Sequence, residues 1–95
     1  MSEWLTSGLR RDVCVRLYGE ECRRQRLKSA IESRYGRRID PRRFREALSA
    51  LVESGHVAVR TEGIADVYAL TDAGERGVEA QYAWLRERVN GDDSG

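Results

Sequence analysis

Apolar residues recur along this chain in two rhythms, and the change between them locates the structural elements. Leu9, Val13 and Leu17 repeat every four residues with Cys14 beside them, the stripe of a first helix that opens at Thr6 or Ser7 and stops at Gly19. Leu27, Ala30, Ile31 and Tyr35 share one face of a second helix running from Cys22 to Tyr35, with Arg and Lys on the other face and Gly36 as its stop. The third helix has the sharpest signals. Asp40 is its N-cap, and Pro41 takes the first helical position, where a missing N–H costs nothing. Phe44, Ala47, Leu48 and Leu51 then follow at i, i+3, i+4 and i+7. With Gly55 beyond its end, the pattern predicts a helix over 41–54.

At His56 the period drops from 3.6 to 2. His56-Val57-Ala58-Val59-Arg60 alternates, Glu62-Gly63 supplies a turn, and Asp66 to Leu70 reads as a returning strand, so a β-hairpin is expected. Thr71 then caps a long last helix over 72–89, carrying Val78, Tyr82, Leu85 and Val89 at spacings of four, three and four. Gly74 and Gly77 weaken its first turns by roughly 1 kcal/mol each relative to Ala, so that end needs support from the rest of the fold. Residues 90–95 form a polar tail expected to be disordered. A two-stranded hairpin cannot close a sheet-based core and must lay its apolar face on the helices. The fold class is therefore mainly α with a small β-hairpin: one winged helix-turn-helix domain over 1–89, ending in a C-terminal dimerisation helix.

Composition narrows the function. Ninety-five residues, 40% of them apolar, suffice for a single modest core. No apolar run approaches the roughly 20 residues of a membrane span. The Met1-Ser2-Glu3-Trp4 start lacks the basic-then-apolar pattern of a secretory signal, so a cytoplasmic protein is expected. Two cysteines make neither a disulfide framework nor a metal-ligand pattern, and no metal or cofactor is expected. Cys14, on the first helix stripe, reads as a buried small hydrophobe; Cys22, among charged neighbours, reads as the more reactive thiol.

The net charge of +1 conceals a strong asymmetry. Residues 1–22 carry −1, residues 23–45 carry +8, and residues 46–95 carry −6. The positive charge thus sits on the second and third helices and the turn between them. In a helix-turn-helix the second helix of the pair enters the major groove. Its core side holds Phe44, Ala47, Leu48 and Leu51, leaving Arg42, Glu46 and Ser49 on the opposite side, flanked by Arg43 and Arg45. Arg matches both acceptors of guanine, and Glu can accept from cytosine. Arg37 and Arg38, ahead of the helix, suit phosphates. In the wing, Arg60 is the one cation offered to a phosphate or minor-groove edge. These residues point to a double-stranded-DNA-binding transcriptional regulator.

The last helix holds more apolar surface than docking needs, with Trp84 beside the Val78–Tyr82–Leu85–Val89 stripe, and a homodimer through this helix is expected. The plainer alternative has Val78, Tyr82 and Leu85 simply packing on the first helix. For the basic face, too, an alternative stands: a winged-helix docking module that meets an acidic protein surface. Catalysis finds no support, since His56 is the only histidine and no nucleophile–base pairing or Gly-rich phosphate loop stands out. No catalytic residue is assigned, and no small-molecule effector is identified.

Several segments resemble the PadR family of winged-helix regulators, especially its small haloarchaeal members. They are Tyr35-Gly36-Arg37, Arg43 to Leu48, Leu51-Val52-Glu53-Ser54-Gly55 and, most specifically, Asp66-Val67-Tyr68-Ala69-Leu70-Thr71-Asp72-Ala73-Gly74. The resemblance covers Leu5 to Val89 and implies a homodimeric repressor joined through the C-terminal helix, with recognition helices spaced for a palindromic operator. One departure is plain: PadR-like recognition helices often carry a Tyr-Pro pair where this chain has Arg45-Glu46. The family's base contacts therefore do not transfer.

Overall fold

The helices form where the apolar stripes place them. In the computed structural model, which describes residues 8–91, α1 spans Gly8–Leu17, α2 Arg24–Tyr35, α3 Pro41–Glu53 and α4 Asp72–Gly91. The expected caps Thr6 and Ser7, and residues 92–95 of the tail, lie outside the described residues. Asn90 and Gly91 belong to α4, which therefore runs two residues past its expected end. No helix among the described residues is long and apolar enough to cross a membrane.

The sheet differs from expectation in one respect. Cys22 and Arg23 do not open α2 but form a short strand, β1 (Cys22–Arg23), so the sheet has three strands rather than two. With β2 (Val57–Glu62) and β3 (Ala65–Leu70), the antiparallel order is β1-β3-β2. Cys22 pairs with Tyr68 and Arg23 with Val67. The pairing covers Val67 and Tyr68 on the outer edge of β3, and the Cys22 side chain is 4% exposed. This corrects the expected reactivity: both thiols are buried, and burial pushes Cys14 up to about 12. The hairpin register pairs Val57 with Leu70 and Glu62 with Ala65. The connecting loop is Gly63-Ile64, one residue later than the Glu62-Gly63 turn read from the sequence.

The core lies between the helices and the inner face of the sheet. Leu9, Val13, Cys14 and Leu17 of α1 meet Leu27 and Ile31 of α2, the α3 row Phe44–Ala47–Leu48–Leu51, and Val57 and Tyr68 of the sheet. The step from wing to α4 is held by Thr71, whose N–H donates to His56 O (3.1 Å) and whose hydroxyl donates to Gly55 O (2.6 Å). The same hydroxyl oxygen accepts from Gly74 N–H (3.2 Å), capping α4. A Cβ on Gly74 would collide with His56 O and lie 2.8 Å from Leu70 Cδ2. The Leu70-Thr71-x-x-Gly74 segment is thus a joint: it fastens the start of α4 to the residues that follow α3.

Candidate nucleic-acid interface

The helix-turn-helix consists of α2, residues 36–40 and α3. Gly36 takes a left-handed φ of 71° that an L side chain rarely tolerates, and its N–H donates to Glu32 O at 2.9 Å. The Glu32 side chain ties the rest of the turn. Its Oε2 accepts from Ile39 N–H (2.8 Å) and from Lys28 Nζ (2.9 Å). The Ile39 N–H first, then Lys28, hold the Glu32 carboxyl below its ordinary range. Ile39 itself is buried and plugs the turn into the core. Sequence reading did not single out Glu32: its Lys28 partner sits one helical turn away, but the Ile39 bond exists only once the turn has closed.

This clamp fixes where α3 points. Asp40 Oδ1 accepts weakly from Arg42 N–H at 3.4 Å, and Asp40 O accepts from Phe44 N–H at 3.0 Å. Arg42, Arg43, Arg45, Glu46 and Ser49 are all exposed while Phe44, Ala47, Leu48 and Leu51 are buried, so the outward face is the one expected. Arg42, Arg45, Glu46 and Ser49 line one side of a shallow concavity of about 460 Å³ along α3. Arg43 faces a second one, of about 540 Å³, shared with Arg37 and Arg38 and floored by Leu9 and Ile39. Among the described residues Arg37, Arg38, Arg43 and Arg45 form no ion pair. Arg37 instead lies over the Tyr35 ring, 5.9 Å from its centroid, within cation–π reach. The Tyr35 hydroxyl donates to Asp12 of α1 at 2.5 Å, and burial with this bond pushes the phenol up to about 12.

The wing departs from the sequence reading. Arg60 is not held out as a free cation: its two terminal nitrogens reach Glu21 at 2.5 and 2.8 Å, and one of them also reaches Glu62 at 2.9 Å. These bonds raise the Arg60 pKa and lower that of Glu21. The cation therefore braces β2 against the residue preceding β1, and the expected Arg60 contact with nucleic acid meets a side chain already engaged. Glu21 lies 39 positions away along the chain, which no local pattern reveals. The wing tip instead presents Ile64, fully exposed.

Along α4 the five dimer candidates divide. Val78 packs against the core, whereas Tyr82, Leu85 and Val89 are 64, 46 and 65% exposed on the same stripe. Trp84 is 48% exposed but lies roughly 160° round the helix from Tyr82, so it belongs to a different face. Val15 of α1 and Tyr18 just beyond its end, not singled out in the sequence, add exposed apolar surface, with the Tyr18 hydroxyl donating to Glu79 of α4 at 2.5 Å.

No protein-family model matches the chain, and no curated protein matches it either. Solved structures do. RosR of H. salinarum superposes with a TM-score of 0.80 at 24% identity over 93% of both chains. The homodimeric winged helix-turn-helix DNA-binding domain of an M. bovis protein gives 0.76 at 19% identity, over 92% of this chain and 76% of that one. PadR of B. subtilis, in complex with operator DNA, gives 0.67 at 20% identity over 83% of this chain but only 47% of PadR. At these identities the likeness establishes the fold, a winged helix-turn-helix.

Proposed function

We propose that this chain is a sequence-specific, double-stranded-DNA-binding transcriptional regulator that works as a homodimer on a palindromic operator, as a repressor of the PadR-like kind. The observation that carries the reading is the exposed arginine face on α3 and its preceding turn, on a segment of net charge +8, where Arg37, Arg38, Arg43 and Arg45 form no ion pair among the described residues, aimed outward by a turn clamped at Glu32. A helix of this exposure and width fits the major groove, with Arg42 toward base edges and Arg37 and Arg38 toward phosphates. Arg43 joins the second pair, because it shares their concavity. Two proteins that share this fold, an M. bovis homodimeric DNA-binding domain and PadR on operator DNA, support both parts of the proposal. The exposed Tyr82–Leu85–Val89 stripe is the surface on which a second copy would dock. The domain is proposed to span 1–89, with dimerisation through the last helix.

Duplex binding measured across a salt series tests it. Arg38→Ala should weaken binding to all duplexes alike and flatten the dependence of log affinity on log salt by about one unit. Arg60→Ala, which removes a cation already paired with two carboxylates, should leave that slope unchanged. A wild-type protein that binds no duplex at low salt refutes the proposal, and the basic face then belongs to an acidic protein partner.

A further inference from the structure

The outward face of α3 holds an acid, Glu46, directly against one of its arginines. Arg42 Nε donates to Glu46 Oε1 at 3.3 Å, one helical turn apart, with the side chains 81 and 68% exposed. A surface meant only for phosphates gains nothing from a carboxylate at its centre, since every phosphate is repelled by it. The geometry suggests a different use. Engaging Nε leaves the two terminal amino groups of Arg42 free, and their parallel N–H bonds match O6 and N7 of guanine. Glu46 makes no second hydrogen bond among the described residues, so its other oxygen remains available to accept from the N4 amino group of cytosine. Both side chains line the same shallow concavity with Ser49 and Arg45, so a base edge reaching one reaches the other.

We propose that Arg42 and Glu46 act as one reading unit, selecting guanine and cytosine at neighbouring positions of each half-site, with Glu46 also serving as the positioning residue for Arg42. The inference rests on the DNA-binding reading above. It extends that reading in two ways: it names the bases, and it gives the acid a second effect, the rejection of duplexes that offer only backbone. The acid of the unit, Glu46, falls in this chain's own Arg45-Glu46 pair, where the resembled family often has Tyr-Pro.

Selection from random duplexes by the wild type, Glu46→Gln, Glu46→Ala and Arg42→Ala tests the unit, followed by affinity measurements on the selected sites. The wild type should enrich a guanine and a cytosine at fixed neighbouring positions. Glu46→Gln retains an acceptor for Arg42 but recognises adenine, so the cytosine position should change to adenine, with about a tenfold loss on the original site. Glu46→Ala should lose preference at that position and bind random duplexes several-fold more tightly. Arg42→Ala should lose the guanine with at least about a tenfold drop. All three substitutions are at exposed positions, and unchanged thermal midpoints would confirm that only recognition has moved. Enrichment of the same motif by the wild type and all three variants overturns the reading unit while leaving DNA binding intact. Failure of the wild type to bind any duplex overturns both.

Discussion

Replacing Gly74 with Ala should destabilise the protein, although helix propensity alone predicts the reverse. Gly74 sits in the first turn of α4, where Ala would favour the helix by about 0.5–1 kcal/mol. The added methyl, however, has nowhere to go. It meets the His56 carbonyl, whose oxygen already accepts the Thr71 N–H at 3.1 Å, and lies 2.8 Å from Leu70 Cδ2. The Leu70 methyl can shift, but the carbonyl is backbone and cannot give way, so α4 must lift away from the α3–β2 junction. Overpacking of this kind costs about 1–3 kcal/mol, and a collision with backbone belongs at the upper end of that range. After subtracting the propensity gain, a net loss of about 2 kcal/mol remains. In a domain of this size, that lowers the melting temperature by roughly 8–16 °C. Gly8→Ala is the control: among the described residues its Cβ would meet the end of the Arg11 side chain, at an ordinary 3.7 Å. Calorimetry or thermal circular dichroism on both variants decides the matter. A Gly74→Ala protein that melts at or above the wild-type temperature refutes the account of the joint.

Three further outcomes follow from the geometry. The Glu32 pKa is lowered on folding, so its contribution to stability is present above its unfolded value near 4.5 and is lost as pH falls through the folded one; Glu32→Gln should therefore show a shallower loss of melting temperature between pH 6 and 3. Cys14 and Cys22 should both resist thiol labelling in the native protein and react together only on unfolding, whereas rapid labelling of Cys22 alone would mean that β1 does not pair with β3. Leu85→Glu, which sets a charge in the proposed seam, should shift the sedimenting species to monomer without unfolding it, because Leu85 is nearly half exposed in the single chain.

The sequence disclosed what repeats locally. The α3 boundary was readable to within a residue because Asp40, Pro41 and the Phe44–Leu51 spacing are all signals internal to the helix. The hairpin and α4 were readable for the same reason. What stayed hidden depends on chain closure. Two residues cannot display a strand period, so β1 is visible only through its partner β3. Ile39 becomes a core residue because Glu32 folds the turn inward, and Arg60 becomes a brace because β2 happens to pass Glu21. Of the candidate interface, the exposed cations of α3 were legible from periodicity. Which of them are already paired was not, since Arg42–Glu46 is an i,i+4 option that exposed side chains are free to decline. Trp84 was grouped with the α4 stripe by nearness in sequence, and helical geometry places it on another face.

The short strand β1 also bears on how copies of this protein can meet. An open strand edge is a template on which another chain can zip, and a lone hairpin would leave two such edges. Here β3 is central, with β2 along one side and β1 covering Val67 and Tyr68 on the other. A two-residue edge is too short to seed a cross-chain ladder. The remaining long edge, β2, carries Arg60 tied to Glu21 and Glu62, and charged side chains of that kind discourage backbone-to-backbone pairing. Wing-to-wing sheet growth, and the aggregation it would bring, is thereby disfavoured, leaving helical surface as the route for orderly self-association.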